Sequence, residues 1–276
     1  MTNKNTLIAG PWVGEFGWEL FAWHAYIRAL SHNFEKTIII SRNSSEKLYS
    51  DFCSEFYSFD SDAGLSDAFF MHNLDITKAL KHVVKTNNIS LKECVLAPPR
   101  RIGFPPHTHF NEFTTFGSFN IKPEYITFGS IGKSQYDYVF HIRDRELRKE
   151  DNWSIESWRK LASFLKEDNK SIACIGTKKE SGWIEGTDDL RDIDLEKTFN
   201  ILRNAKCTFG PSSGPMHLSS LCNCPHVVWS RPENRVRYQT NWNPLATPIL
   251  FMDEYSWHPS PEHVFDTYKK WKLNNK

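Results

Sequence analysis

The chain has 276 residues, 39% of them apolar and 24% charged, an ordinary globular composition that excludes intrinsic disorder, collagen and coiled coil. At roughly 150 residues per domain this length predicts two domains or one large α/β domain, large enough to be stable without disulfide or metal staples. The 34 Lys+Arg and 33 Asp+Glu give a net charge of +1, so the surface is not coated in basic residues, although a local basic groove is compatible with it. The 20 Phe, 10 Trp and 9 Tyr suit sugar or base stacking and a large core equally well.

No apolar run approaches the roughly 18 residues of a membrane span. Met1 to Thr6 is polar and leads into the short run Leu7-Ile8-Ala9, so no signal peptide is expected. Cys53, Cys94, Cys174 and Cys207 are isolated from one another, which predicts reduced thiols in a cytoplasm. Cys222-Asn223-Cys224-Pro225-His226 lacks a second Cys or His pair elsewhere, and no metal site is expected there.

In chain order, Thr6–Gly10 reads as a strand, Pro11–Gly17 as a loop, and 18–31 as a helix with Leu20, Trp23, Ile27 and Leu30 on one apolar face. Lys36–Ser41 closes this βαβ unit, so a parallel sheet is expected. Ser45–Phe52 and Ile76–Lys85 read as helices, and Cys94–Ala97 as a short strand. From Pro98 to about Lys133 prolines and glycines leave no sustained period, and the stretch reads as loop plus interdomain connection. A second series then alternates. Tyr136–Arg143 is a strand, Ser154 caps a helix over Ile155–Glu167, and Ser171–Gly176 is a strand. Asp194 caps a helix over Leu195–Ala205, Cys207–Gly210 is a strand, Gly214–Leu221 a helix and His226–Ser230 a strand. An amphipathic helix, Pro261–Lys272, ends the series. The expected division is an N-terminal Rossmann-like domain over 1–130 and a C-terminal one over 131–260. The last helix, 261–276, is expected to pack back on the N-terminal domain.

The strongest local signal for chemistry is Phe209-Gly210-Pro211-Ser212-Ser213-Gly214-Pro215-Met216-His217. A strand ends in a small-residue turn and a helix begins at once. The helix start offers N–H groups and positive dipole, Gly214 admits close backbone approach, and Ser212 and Ser213 add hydroxyl donors. The same sequence would also make a plain helix cap.

From Tyr138 to Ser230 the chain resembles the C-terminal half of the heptosyltransferase-type glycosyltransferases of family nine. The resemblance rests on His141-Ile142-Arg143, Asn152-Trp153-Ser154, Gly176-Thr177-Lys178-Lys179-Glu180 and Gly210-Pro211-Ser212-Ser213-Gly214-Pro215-Met216-His217-Leu218. It implies the GT-B fold, an α/β architecture of two Rossmann-like domains facing across a cleft, with a nucleotide-sugar donor on the C-terminal domain. It puts Ser213, Gly214 and His217 on the donor-phosphate turn and Glu180 on the carboxylate that takes the ribose hydroxyls. Ser212 stands where the family has aspartate, and Asp151 where it has a lysine. Arg143, Arg145, Arg148 and Lys149 are candidate replacements for that charge. Asp144, Glu146, Glu150 and Asp151 balance them, and Arg143 and Arg145 are preferred because they leave a strand's C-terminal end.

Gly14-Glu15-Phe16-Gly17-Trp18-Glu19 resembles the family's N-terminal Gly-Asp loop, whose carboxylate deprotonates the acceptor hydroxyl. Glu15 in the glycine turn is the preferred base. Glu19, in the first helical turn, is the alternative, although a carboxylate is favoured there electrostatically in any case. After the last strand of the second series, Arg235 and Arg237 are candidate phosphate or acceptor contacts, with Tyr238 or Trp242 a candidate stacking ring. Pro98–His109, with Arg100, Arg101, His107 and His109, is a further candidate acceptor surface.

The expected activity is sugar transfer from a nucleoside diphosphate donor to an acceptor hydroxyl, with no cofactor and no metal required. The acceptor is a surface glycan or a hydroxymethylated DNA base, as in viral DNA glucosyltransferases, which share the GT-B fold. Two other readings stand beside it. Phe140-His141-Ile142-Arg143-Asp144 also resembles polysaccharide pyruvyltransferases, and loss of the family aspartate at Ser212 fits a non-catalytic nucleotide-binding protein.

Overall fold

The computed structural model describes residues 5–59, 76–99, 121–166 and 170–274. The chain forms two compact units, Met1–Tyr125 and Ile126–Lys276.

In the first unit β1 (Thr6–Ala9), β2 (Lys36–Ser41), β3 (Glu55–Ser58) and β4 (Cys94–Ala97) form a parallel sheet of order β3-β2-β1-β4. The central strands carry unbroken apolar runs, Leu7–Ala9 and Ile38–Ile40, because a parallel sheet is covered on both faces. The helical segment after β1 is α1 (Phe16–Trp18), a π-helical stretch Glu19–His24, and α2 (Ala25–Ser31). Every residue from Glu19 to His24 is buried, so this segment lacks the solvated face that its periodicity predicts. The helix expected over Ser45–Phe52 is a 3-10 helix, Asn43–Leu48, whose neighbourhood supplies side-chain donors to Glu19. Helix α3 (Ile76–Thr86) buries Leu80, Val83 and Val84 against Ile8, Ile38 and Ile40.

The second unit is built on a six-stranded parallel sheet: β5 (Tyr138–Phe140), β6 (Ile172–Gly176), β7 (Asp188–Arg191), β8 (Cys207–Pro211), β9 (His226–Trp229) and β10 (Ile249–Met252). Their spatial order, β10-β9-β8-β5-β6-β7, is the doubly wound order in which the chain builds outward from the first strand, returns, and builds the other way. Helices α4 (Ile155–Lys166), α5 (Leu195–Asn204), α6 (Gly214–Leu221) and α7 (Pro261–Asn274) complete the unit. Ser154 Oγ accepts from the Ser157 N–H at 3.1 Å, and Asp194 Oδ1 from the Lys197 N–H at 2.9 Å, so both expected caps form. The core centres on Phe140, Trp153, Trp158, Phe209 and Trp229.

Helix α7 packs along α4, with Val264 and Tyr268 in this core and Tyr268 edge-on to Tyr138. Helix α7 thus belongs to the second unit, Ile126–Lys276. Strands β3, β7 and β10, absent from the sequence reading, are all outer strands of their sheets.

Candidate functional site

Ligands of doubly wound sheets bind outside the carboxyl ends of the strands, where the strand order reverses. In the second unit that point lies between β5 and β8. Loops leave four adjacent strand ends there: 230–235 after β9, 212–213 after β8, 141–152 after β5 and 177–181 after β6. Two glycines permit the close approach. A Cβ at Gly210 would stand 2.6 Å from Met216 Sδ and 3.1 Å from the His141 carbonyl oxygen. A Cβ at Gly176, where φ is +128°, would stand 2.1 Å from Ser181 Oγ.

The turn after β8 is braced from behind. The Ser212 N–H donates to the Trp229 carbonyl at 3.0 Å, and the Ser213 N–H to the Tyr238 hydroxyl at 3.2 Å. That hydroxyl in turn donates to Ser212 Oγ at 3.1 Å. Pro215 has no N–H, so Gly214 and Met216 supply the N–H groups left for an anion at the start of α6. Ser213 Oγ is buried with no hydrogen-bond partner among the described residues. His217 is buried, stacked on Tyr238 at 4.3 Å and edge-on to Trp242 at 4.7 Å. Burial, with the Arg237 charge second, holds its pKa well below the usual histidine value, so it is neutral and brings no cation to the turn.

The loop after β5 is organised by a buried guanidinium. Arg143 is 2% exposed and donates to the Leu147 and Arg148 carbonyls at 3.4 and 3.1 Å and to Asn152 Oδ1 at 2.5 Å. Burial lowers its pKa to about 10. The expectation that Arg143 faces a ligand phosphate is corrected, since its donors are committed to its own loop. Asn152 clamps the same loop by donating to the Arg145 carbonyl at 2.9 Å. Arg145 is partly exposed. Asp151, buried, lies 3.9 Å from Arg143 and 3.5 Å from Arg231, which follows β9. The sequence reading assigned neither Asn152 nor Arg231, because both contacts join loops that are distant in the chain or carry no local period.

Glu180 joins this group through the backbone. The Asp144 N–H donates to the Glu180 carbonyl at 2.9 Å, and the Gly182 N–H to the Ile142 carbonyl at 2.8 Å. These bonds set the loop after β6 against the loop after β5, with Glu180 partly exposed. His141 lies beneath, its Nδ1 3.3 Å from the Ile175 carbonyl oxygen, and burial depresses its pKa to about 4.

Beyond β9 the arrangement differs from the sequence reading. Arg235 forms a two-pronged pair with Asp253 at 2.9 and 2.6 Å. Arg237 lies over the Trp242 ring at 5.5 Å. Tyr238 and Trp242 are buried, so neither ring offers a face for stacking a ligand. Tyr238 instead supports the Ser212–Ser213 turn. Cys222, Cys224 and His226 are buried, the Cys224 thiol sits 3.2 Å from Thr208 Oγ1, and no group of metal-binding side chains stands among the described residues.

In the first unit, Glu15 begins the helical segment on the loop that leaves the carboxyl end of β1. It is partly exposed, and its side chain makes no capping hydrogen bond. Glu19 is fully buried. It accepts from Ser41 Oγ at 2.5 Å, Tyr49 OH at 2.9 Å and Ser45 Oγ at 2.8 Å, and pairs with Arg42 at 3.5 Å. Arg42 also donates to the Gly14 carbonyl, fixing the loop next to Glu15. Glu19 is therefore an internal anchor, not the solvated first-turn carboxylate that its position suggested. Arg100, Arg101, His107 and His109 lie outside the described residues.

No protein-family model matches the chain, and no curated protein matches it. Solved structures do. The glycosyl transferase family 9 protein from Veillonella parvula matches with a TM-score of 0.67 at 11% identity, covering 99% of each chain. The ADP-heptose LPS heptosyltransferase II of E. coli matches at 0.63 and 11%, over 98% of this chain and 99% of its own. E. coli heptosyltransferase WaaC, solved with ADP, matches at 0.59 and 12%, over 96% of this chain and 99% of its own. At these identities the likeness is one of fold. The resemblance read over 138–230 thus holds as a likeness of fold across nearly the whole chain.

Proposed function

We propose that this protein is a GT-B-type glycosyltransferase that moves a sugar from a nucleoside diphosphate donor to an acceptor hydroxyl. The observation that carries this reading is the convergence of four loops at the strand-order reversal of the second sheet, with the Ser212–Gly214 turn and Glu180 on either side of β5. In this reading the second unit holds the donor and the first supplies the acceptor site and the base.

The donor diphosphate meets the Gly214 and Met216 N–H groups and the Ser212 and Ser213 hydroxyls, and the dipole of α6 favours the negative charge that grows on the leaving group. Glu180 accepts from the ribose hydroxyls, and Arg145 faces the phosphates. Glu15 takes the acceptor proton. Tyr238, His217 and Arg143 act behind this layer by holding the turn and the loop in place. This scheme assigns no step to a metal or cofactor. A near-neutral chain fits a glycan hydroxyl better than duplex DNA, whose affinity is carried by many cationic contacts. The cytoplasm, where nucleotide sugars and reduced thiols coexist, is the proposed location.

Thermal shift against ADP-, UDP- and GDP-sugars and phosphoenolpyruvate is the first test, followed by mass spectrometry of glycan and hydroxymethylated-DNA acceptors. Stabilisation by one nucleotide sugar and a product heavier by one sugar are expected. Stabilisation by phosphoenolpyruvate alone would replace this reading with pyruvyl transfer. Nucleotide binding with no product on any acceptor would point to a non-catalytic binding protein. Glu180→Gln should weaken the bound nucleoside diphosphate by about 1–2 kcal/mol, the worth of a charge-assisted hydrogen bond. Equal calorimetric affinity in the two proteins would remove Glu180 from the ribose site.

A further inference from the structure

We infer that Arg231 is a diphosphate-binding residue, aimed by the buried carboxylate of Asp151; the inference rests on the donor site proposed above. The turn after β8 carries two available N–H groups and hydroxyls, and no formal positive charge, since His217 is neutral. A nucleoside diphosphate brings at least two negative charges to it. Arg143 is sealed within its loop and Arg235 is held by Asp253 in both prongs.

Arg231 stands in the right place by backbone register. Pro211 of β8 pairs with Trp229 of β9, and the Ser212 N–H continues that ladder to the Trp229 carbonyl. Two residues past each partner lie Ser213 and Arg231, so the arginine emerges alongside the turn. Its side chain is 58% exposed, whereas that of Asp151 is 3% exposed. Asp151 Oδ1 makes no hydrogen bond of normal geometry among the described residues, and its charge is balanced by guanidiniums on two sides, Arg143 at 3.9 Å and Arg231 at 3.5 Å. Of the two guanidiniums that share this carboxylate, Arg231 is the one open to solvent. A guanidinium tethered on one side loses less freedom when its remaining N–H groups close on a phosphate, and its planar fork suits two phosphate oxygens.

The test is calorimetry of ADP, UDP and GDP, each beside its nucleoside, on the full chain and its variants. Arg231→Ala should weaken the nucleoside diphosphate that wild type prefers by about 10- to 100-fold, and its nucleoside by less than about twofold. Arg231→Lys, which keeps the charge but not the fork, should fall between. Asp151→Asn should weaken the diphosphate in the same direction, because the tether is lost. Arg231→Ala with unchanged diphosphate affinity would overturn the assignment while leaving the donor site standing. Parallel loss of nucleoside and diphosphate would overturn it too, by showing a role in shaping the unit. A wild type that binds none of the three diphosphates would remove the donor site, and the assignment with it.

Discussion

The two units organise their first strand-end loops around buried charges of opposite sign. In the first unit the charge is Glu19, which gathers Ser41, Arg42, Ser45 and Tyr49. In the second it is Arg143, which gathers the Leu147 and Arg148 carbonyls and Asn152. A buried carboxylate needs donors, and backbone N–H groups nearby are already spent in helix and sheet. Its partners are therefore side chains from a segment 22–30 residues away. A buried guanidinium needs acceptors, and an irregular loop exposes its own carbonyls within 4–5 residues and an amide side chain 9 residues on. The anionic hub ties separate segments together, whereas the cationic hub shapes the loop that bears it.

Acid should separate the units most strongly. His24 in the first unit has its pKa lowered to about 3, mainly by burial and then by Arg28. In the second, burial lowers His141 and His226 to about 4 and His217 well below the ordinary value. A histidine kept neutral in the folded state binds fewer protons than its unfolded form. Its contribution is thus complete above about pH 6.5 and is lost as pH falls toward the folded pKa. Among the described residues three such histidines stand in the second unit and one in the first, so the loss of stability as pH falls from 7 to 5 is expected to be larger in the second. Hydrogen exchange at pH 5 and 7, corrected for intrinsic rates, should show the larger loss of protection in the strands of the second unit. Equal losses would break the contrast.

The anionic hub comes next. Glu19→Gln removes the charge facing Arg42 and turns one acceptor into a donor among donors, so unfolding in urea should show a loss of about 3 kcal/mol. A loss within 0.5 kcal/mol, on the order expected for a solvated surface carboxylate, would sink the anchor role. Glu15→Gln should leave stability and donor affinity intact yet slow sugar transfer about a hundredfold, roughly 2.7 kcal/mol of barrier. If turnover holds in that variant, the base is another residue. On the cationic side, Arg143→Lys keeps the charge but cannot reach the same set of acceptors, and about 2 kcal/mol of stability should go. The smallest effect belongs to Arg235→Ala, whose pair with Asp253 is partly exposed, at no more than about 1 kcal/mol by the same measurement.

Much of this fold is legible in the chain. Strand Lys36–Ser41 and helix Gly214–Leu221 stand where pattern and turn residues put them, because burial on both faces or a Gly-Pro helix start writes a strong local signal. The outer strands are weaker signals. Asp188–Arg191 pairs on one side and is polar, and Ile249–Met252 is too short for periodicity to tell strand from helix. For the site, the sequence names the strand ends and the Ser212 turn. It misjudges Tyr238, Arg235 and Arg143, since a polar side chain in a loop reads alike whether it meets solvent or a buried partner.

The sequence by itself determined the alternation of strands and helices, the two helix caps and the small-residue turn into α6, all of which follow from interactions within a few residues. The tertiary structure alone decided strand order, which of the charged residues are buried, and which arginine pairs with the buried Asp151 from the loop after β9. Those depend on the burial of charge between segments far apart in the chain, where desolvation must be balanced by specific partners, and no local pattern records who the partners are.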